Sequence, residues 1–201
     1  KAFPSDMLSI IYNSVPIGKL TYSNKPIDPP YLAFLGRLTY DKGVDIAIEI
    51  AKKTGIPLKI AGTIQTEEKG AAEYFKTKVR PLLGDGCEYL GPITDSDKSS
   101  FLGNALALLF PIRWPEPFGI VMAESLACGT PIIGTRVGSV PEVVKHGETG
   151  FVSNSLKEMV EAVSLITTID RKKCRKDAEA RFSTEAMIKK VLELYENVLQ
   201  L

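Results

Sequence analysis

The chain has 201 residues, 44% of them apolar and 24% charged, enough to bury one core of the ordinary globular kind. Its net charge of +1 gives no general pull toward nucleic acid, and no apolar run approaches the roughly 18 residues that a membrane span needs. Three cysteines, Cys87, Cys128 and Cys174, are odd in number and fit no metal spacing, which speaks against a disulfide framework and for a reducing, cytoplasmic setting.

Strand-length apolar runs alternate with helical patterns, the signature of an α/β fold whose parallel sheet is covered by helices on both faces. Strands are expected at Ser9 to Tyr12, Tyr31 to Leu35, Leu58 to Ala61, Cys87 to Leu90, Ala105 to Phe110, Pro131 to Gly134 and Gly150 to Val152. Helices are expected near Val44 to Lys53, Glu67 to Leu82, Asp95 to Gly103, Gly119 to Ala127 and Val140 to Lys145. In the first of these, Val44, Ala47, Ile48 and Ala51 fall at helical spacing and Gly55 supplies the stop. Lys25 to Pro30 is a Pro-rich loop, and Gly84-Asp85-Gly86 is a turn before a strand.

His146, the only histidine, reads as a charge at the end of a short helix. Beyond Val152 only helices follow, opened by a capping box at Ser155 and Glu158. The basic cluster Arg171-Lys172-Lys173 with Arg175-Lys176 reads as a solvated helix start, with peripheral membrane contact as the lesser reading. In the last helix Met187, Val191, Leu192 and Tyr195 form an apolar face that must pack on something.

Two segments carry candidate chemistry. Ligands of doubly wound sheets bind outside the carboxyl ends of the strands, and Arg37 and Lys42 straddle the first such exit. Arginine offers a planar fork matched to phosphate and lysine a mobile point charge. Farther on, Pro117 and Gly119 punctuate the chain before an apolar helix, placing Glu116 on the entering loop and Glu124 inside the helix. Helix amides near Gly119 to Val121 form an anion site between the two acids. A second glutamate pair at the same spacing, Glu185 and Glu193, lies in an uninterrupted helix and reads as a solvated face. Asp95-Ser96-Asp97 is a candidate metal pair, but acids are favoured in a first helical turn by the dipole, and no metal is expected. Thr94 before it reads as the N-cap. Trp114 reads as packing that fixes its loop ahead of a sugar-stacking platform. No strand runs into G-x-G-x-x-G and no P-loop is present, which sets a nicotinamide dehydrogenase aside.

In Gly36-Arg37-Leu38 with Lys42-Gly43, in Glu116 to Glu124, and in Gly138-Ser139-Val140-Pro141-Glu142, the chain resembles the donor-binding half of retaining glycosyltransferases of family four, which have the two-domain GT-B architecture. The resemblance implies a Rossmann-like doubly wound sheet of about six strands with C-terminal helices, forming one nucleotide-sugar-binding domain over residues 1–201. The acceptor-binding N-terminal domain is then absent from this chain, which opens on Lys1 like a piece of something longer.

By the same resemblance, Arg37, Lys42 and Glu116 are catalytic. The two cations stabilise the departing diphosphate, and Glu116 contacts the donor sugar. Glu124 takes the ribose diol, since one carboxylate accepts from two vicinal hydroxyls. Phe118, Gly119, Ile120 and Val121 offer amides to sugar and phosphate oxygens, Gly36 and Gly62 border the site, and backbone near Ile93 reads the base. Some guanine-using relatives carry an acid where Thr94 stands, which favours a UDP-sugar. Ile64 departs from a second glycine found in many relatives, putting a close backbone approach there in doubt. The implied function is metal-independent, cofactor-free transfer with retention, the isolated chain binding donor without turnover. The alternative is a regulatory module that binds a sugar nucleotide without transferring it.

Overall fold

Fully buried apolar runs become the centre of a parallel sheet, because a strand covered on both faces has no side that tolerates a polar residue. In the computed structural model, which describes residues 10–65, 67 and 70–199, the strands are β1 (Leu32–Leu35), β2 (Leu58–Ala61), β3 (Cys87–Gly91), β4 (Ala107–Phe110), β5 (Ile132–Thr135) and β6 (Gly150–Ser153). All pair in parallel in the order β3-β2-β1-β4-β5-β6. The chain moves outward from β1 to β3, then returns to place β4 beside β1 and moves outward the other way. Right-handed crossovers therefore put the two sets of helices on opposite faces and leave a crevice above the β1–β4 junction.

The connecting helices are α1 (Val44–Thr54), α2 (Ala71–Tyr74), α3 (Asp95–Gly103), α4 (Ile120–Ala127) and α5 (Val140–Val143), followed by α6 (Leu156–Leu165), α7 (Arg171–Phe182) and α8 (Thr184–Leu199). In α1 the four residues expected on one face are buried, and Gly55 ends the helix in the left-handed region, its N–H bonded to Ala51 O. The Ser155 hydroxyl accepts from Glu158 N at 3.2 Å, and the Glu158 carboxylate accepts from Asn154 N at 2.7 Å, so the acid reaches one residue further back than a simple capping box.

Several expectations are corrected. Ser9 lies outside the described residues, and residues 10–12 are not a strand; the chain there makes only one parallel bridge, Val15 to Ser183. The helix expected from Glu67 to Leu82 is one α-turn, α2, then a π-helical stretch Phe75–Val79 and a 3-10 turn Arg80–Leu82. Pro81 has no N–H to give the carbonyl of Thr77, so an α-helix cannot continue there. Helix α5 stops at Val143, which leaves His146 beyond it. Its Nδ1 accepts from Val152 N at 3.1 Å and pins a loop to β6 instead of charging a helix end.

The basic start of α7 is not simply solvated. Arg171 is buried, and its guanidinium donates to the carbonyls of Ser23, Ala105 and Gly103 and to Thr130 Oγ1 at 2.6–3.0 Å. Arg175 Nη1 donates to Leu20 O at 2.8 Å and Ala127 O at 2.7 Å. Both arginines tie loop carbonyls that no secondary structure satisfies. All three cysteines are buried and free.

Helix α8 carries its apolar face into solvent, with Leu192 55% and Tyr195 63% exposed. At its start the two ends of the described chain meet. Val15 N donates to Phe182 O at 2.8 Å, and the Tyr12, Phe118 and Phe182 rings form one cluster with centroids 5.5–6.0 Å apart. Lys190 on α8 lies 5.2 Å from the Tyr12 ring centroid.

Candidate functional site

The crevice above β1 and β4 has a volume of about 640 Å³. It is lined by the exit of β1 (Gly36, Arg37, Lys42), the run from Glu116 to Val121, and Glu124 on α4, with Ile93, Asp95 and Lys98 from the β3 side and Asn13 from the first segment. Every site residue expected from sequence is among these except Gly62. A Cβ on Gly62, at φ 142°, would lie 1.7 Å from Gly36 O, so its task is to let the β2 exit press against the β1 exit.

Glycine geometry also joins β1 to β4. Gly43, at φ 72°, ends the 3-10 turn Tyr40–Lys42 and packs where a Cβ would meet Pro111 O at 2.0 Å. Across that contact Lys42 Nζ donates to Glu116 Oε2, which also accepts from Trp114 Nε1 at 2.8 Å. Trp114 is thus a fixture of the loop, as expected, and its partner is the glutamate itself.

The Gly138-Ser139 segment holds the same loop from behind. Ser139 N donates to Glu116 O at 3.0 Å, Ser139 Oγ donates to Phe118 O at 2.8 Å, and a Cβ at Gly138 would fall 2.5 Å from Glu116 N. Gly119, at φ 72°, turns the chain into α4, whose first-turn residues Ile120 and Val121 line the crevice where helix amides carry partial positive charge.

Glu124, only 8% exposed, accepts from Lys98 Nζ at 2.7 Å, and Lys98 reaches Asp95 at 3.0 Å. Burial pulls the Lys98 ammonium down, but its bonds to Glu124 and Asp95 outweigh that, and its pKa is raised. The lining thus pairs its ionised groups in the manner that makes buried charge tolerable. Lys98 is not visible as a site residue in the sequence: Lys three residues after Asp in a helix is the spacing of an ordinary surface pair, and only the fold sets Glu124 beside it. Asn13 is hidden by the strand-like run beside it. Thr94 takes the N-cap position of α3 with its backbone, but its Oγ1 donates to Asp97 Oδ2 at 2.6 Å in place of a helix amide. Among the described residues no group of three or more His, Cys, Asp and Glu is arranged to hold a metal ion. No described helix is long and apolar enough to cross a membrane.

Similarity to known proteins follows the same segments. The family model described as glycosyl transferases group 1 matches residues 21–186. An uncharacterized glycosyltransferase of Methanocaldococcus jannaschii is 30% identical over 203 residues, covering 94% of this chain and 53% of that protein. The N-acetyl-alpha-D-glucosaminyl L-malate synthase of Bacillus anthracis is 30% identical over 142 residues, covering 59% of this chain and 37% of the enzyme. The chain thus spans about half, or less, of the length of these relatives.

Among solved structures, the sucrose-phosphate synthase of Thermosynechococcus elongatus superposes with a TM-score of 0.82 at 23% identity, over 96% of this chain and 53% of that one. The HepE protein of Anabaena in complex with UDP superposes with a TM-score of 0.80 at 19% identity, over 96% and 58%. These likenesses show the fold, a Rossmann-like half of the GT-B architecture. With four-fifths of its length matched by the family model and the ordered motifs set around one crevice, the chain belongs to the glycosyl transferases group 1 family.

Proposed function

We propose that the chain binds a nucleotide-diphosphate sugar, a UDP-sugar by preference, and serves a glycosyltransferase that moves the hexose with retention and without a metal ion or cofactor. The observation that carries this reading is the convergence of two ion pairs, Lys42 with Glu116 and Lys98 with Glu124, in one crevice at the β1–β4 switch point. Each pair keeps its charges ionised until a ligand exchanges them. A diphosphate takes Lys42 and Arg37, a hexose hydroxyl donates to Glu116, and the ribose diol donates to Glu124.

In the reaction the bond between the anomeric carbon and the diphosphate oxygen breaks through an oxocarbenium-like state. The acceptor oxygen bonds from the same face, and the leaving phosphate receives its proton. Lys42, Arg37 and the first amides of α4 carry the charge that develops on the leaving group. The relatives solved with UDP and with UDP-glucose support the choice of donor.

The test is calorimetric titration of the chain with UDP, GDP and ADP, with added magnesium and with a chelator. Selective binding of UDP that survives the chelator supports the reading; binding of none, or binding only with metal, removes it. Transfer is expected to need the acceptor-binding domain, so the 201-residue chain should bind donor without turnover.

A further inference from the structure

Arg113 leaves β4 just ahead of Glu116 and is fastened to the turn that ends in Lys42. Its backbone N–H donates to Asp41 O at 2.7 Å, and its Nη1 donates to Tyr40 O at 2.8 Å. Its guanidinium carbon lies 4.1 Å from the Tyr40 ring centroid. The fork closes on Asp45, in the first turn of α1, through bonds of 2.8 and 2.7 Å. From α2, the Tyr74 hydroxyl donates to Asp45 Oδ1 at 2.7 Å, and its ring meets Tyr40 edge-on at 5.9 Å. None of these four side chains lines the crevice.

A surface ion pair would be worth little, but here the fork is bidentate, stacked on a ring and mostly shielded from water, with side chains 24% and 26% exposed. Burial alone would raise the Asp45 carboxyl; the bonds from Arg113 and Tyr74 outweigh it and hold the pKa low, so both partners stay charged.

The direct bond between Lys42 and Glu116 cannot hold their spacing once a donor is bound, because phosphate and sugar then take its two ends. Something that touches no ligand must hold it. We propose that Arg113 is a positioning residue: by locking the Tyr40–Lys42 turn to the β4 exit, it sets the separation of Lys42 from Glu116. It thereby sets the span between the diphosphate and hexose ends of the donor. The inference rests on the proposed donor site. Small errors in such a span are costly, since bound groups react only from near-attack geometry.

The test compares UDP with uridine, which does not reach Lys42, in NMR titrations of the 201-residue chain and of Arg113→Lys, Asp45→Asn, their double variant and Tyr74→Phe, each with a thermal melt. Expected are UDP affinities about tenfold lower for Arg113→Lys and Asp45→Asn, with uridine unchanged and the double variant no worse than either single one. Tyr74→Phe, which deletes one hydroxyl and spares the fold, should shift the UDP-to-uridine ratio the same way by less. Equal weakening of UDP and uridine, or an unchanged ratio beside a lowered melting temperature, overturns the inference alone. Failure of the unsubstituted chain to bind UDP overturns the donor site and this inference together.

Discussion

Glu124 and Arg37 line the same crevice but should fail in different ways. Glu124→Ala removes the acceptor for two ribose hydroxyls and is expected to weaken UDP and uridine alike, by about tenfold or more. Arg37→Ala should weaken UDP by a similar factor and leave uridine untouched; equal effects on both ligands would show that the two residues do not read opposite parts of one nucleotide. Gly138 supports the site from behind. At φ 57°, where an added Cβ would stand 2.5 Å from Glu116 N, Gly138→Ala should cost about 1–3 kcal/mol in urea denaturation and weaken sugar-nucleotide binding with it. Stability lost without affinity would mean that the Glu116 loop relaxes freely. The functional residues are legible in the sequence because each motif is local: Glu116 and Glu124 share one loop–helix unit, and Arg37 and Lys42 one strand exit. Lys98 is illegible because its partner Glu124 lies on another element.

At the scale of elements, α7 is held by its first residue. Arg171→Ala would leave the carbonyls of Ser23, Gly103 and Ala105 without their donor, a loss of about 3 kcal/mol read from the urea midpoint. Arg171→Lys, with fewer donors, should fall between. An alanine variant as stable as the parent would show that water replaces the guanidinium. This helix misleads for a physical reason: a run of five cations within six positions looks solvated, and nothing local reveals that two of them reach loop carbonyls far away in sequence. The strands are easier to read, since burial on both faces leaves β4 apolar throughout. Ser9 to Tyr12 shows the limit of that signal. A short apolar run also arises where a loop tucks aromatic side chains into a cluster, and there Tyr12 packs on Phe118 and Phe182. The helix expected after β2 fails at Pro81, whose effect on the preceding turns is readable, and at the π-helical stretch, which has no clear sequence signature.

For the molecule as a whole, the clamp between Asp45 and Arg113 makes stability depend on acid. The Asp45 pKa lies below the usual 3.8, so its contribution is fully present above that value and is lost as pH falls through the lower folded-state pKa. Asp45→Asn should therefore be less stable at neutral pH and lose less than the parent between neutrality and about pH 3. Parallel stability profiles for the two proteins would remove Asp45 from the acid response. Six parallel strands joined by crossovers give a sheet that moves as one plate, yet the outermost helix is coupled to its centre. Phe182, at the end of α7, touches both Tyr12 and Phe118, while Lys190 of α8 sits over Tyr12. Asn13, next to Tyr12, lines the crevice. Helix α8 is therefore a crank handle on the outside of the protein: turning it about Ser183 drags an aromatic axle whose other end is the crevice wall.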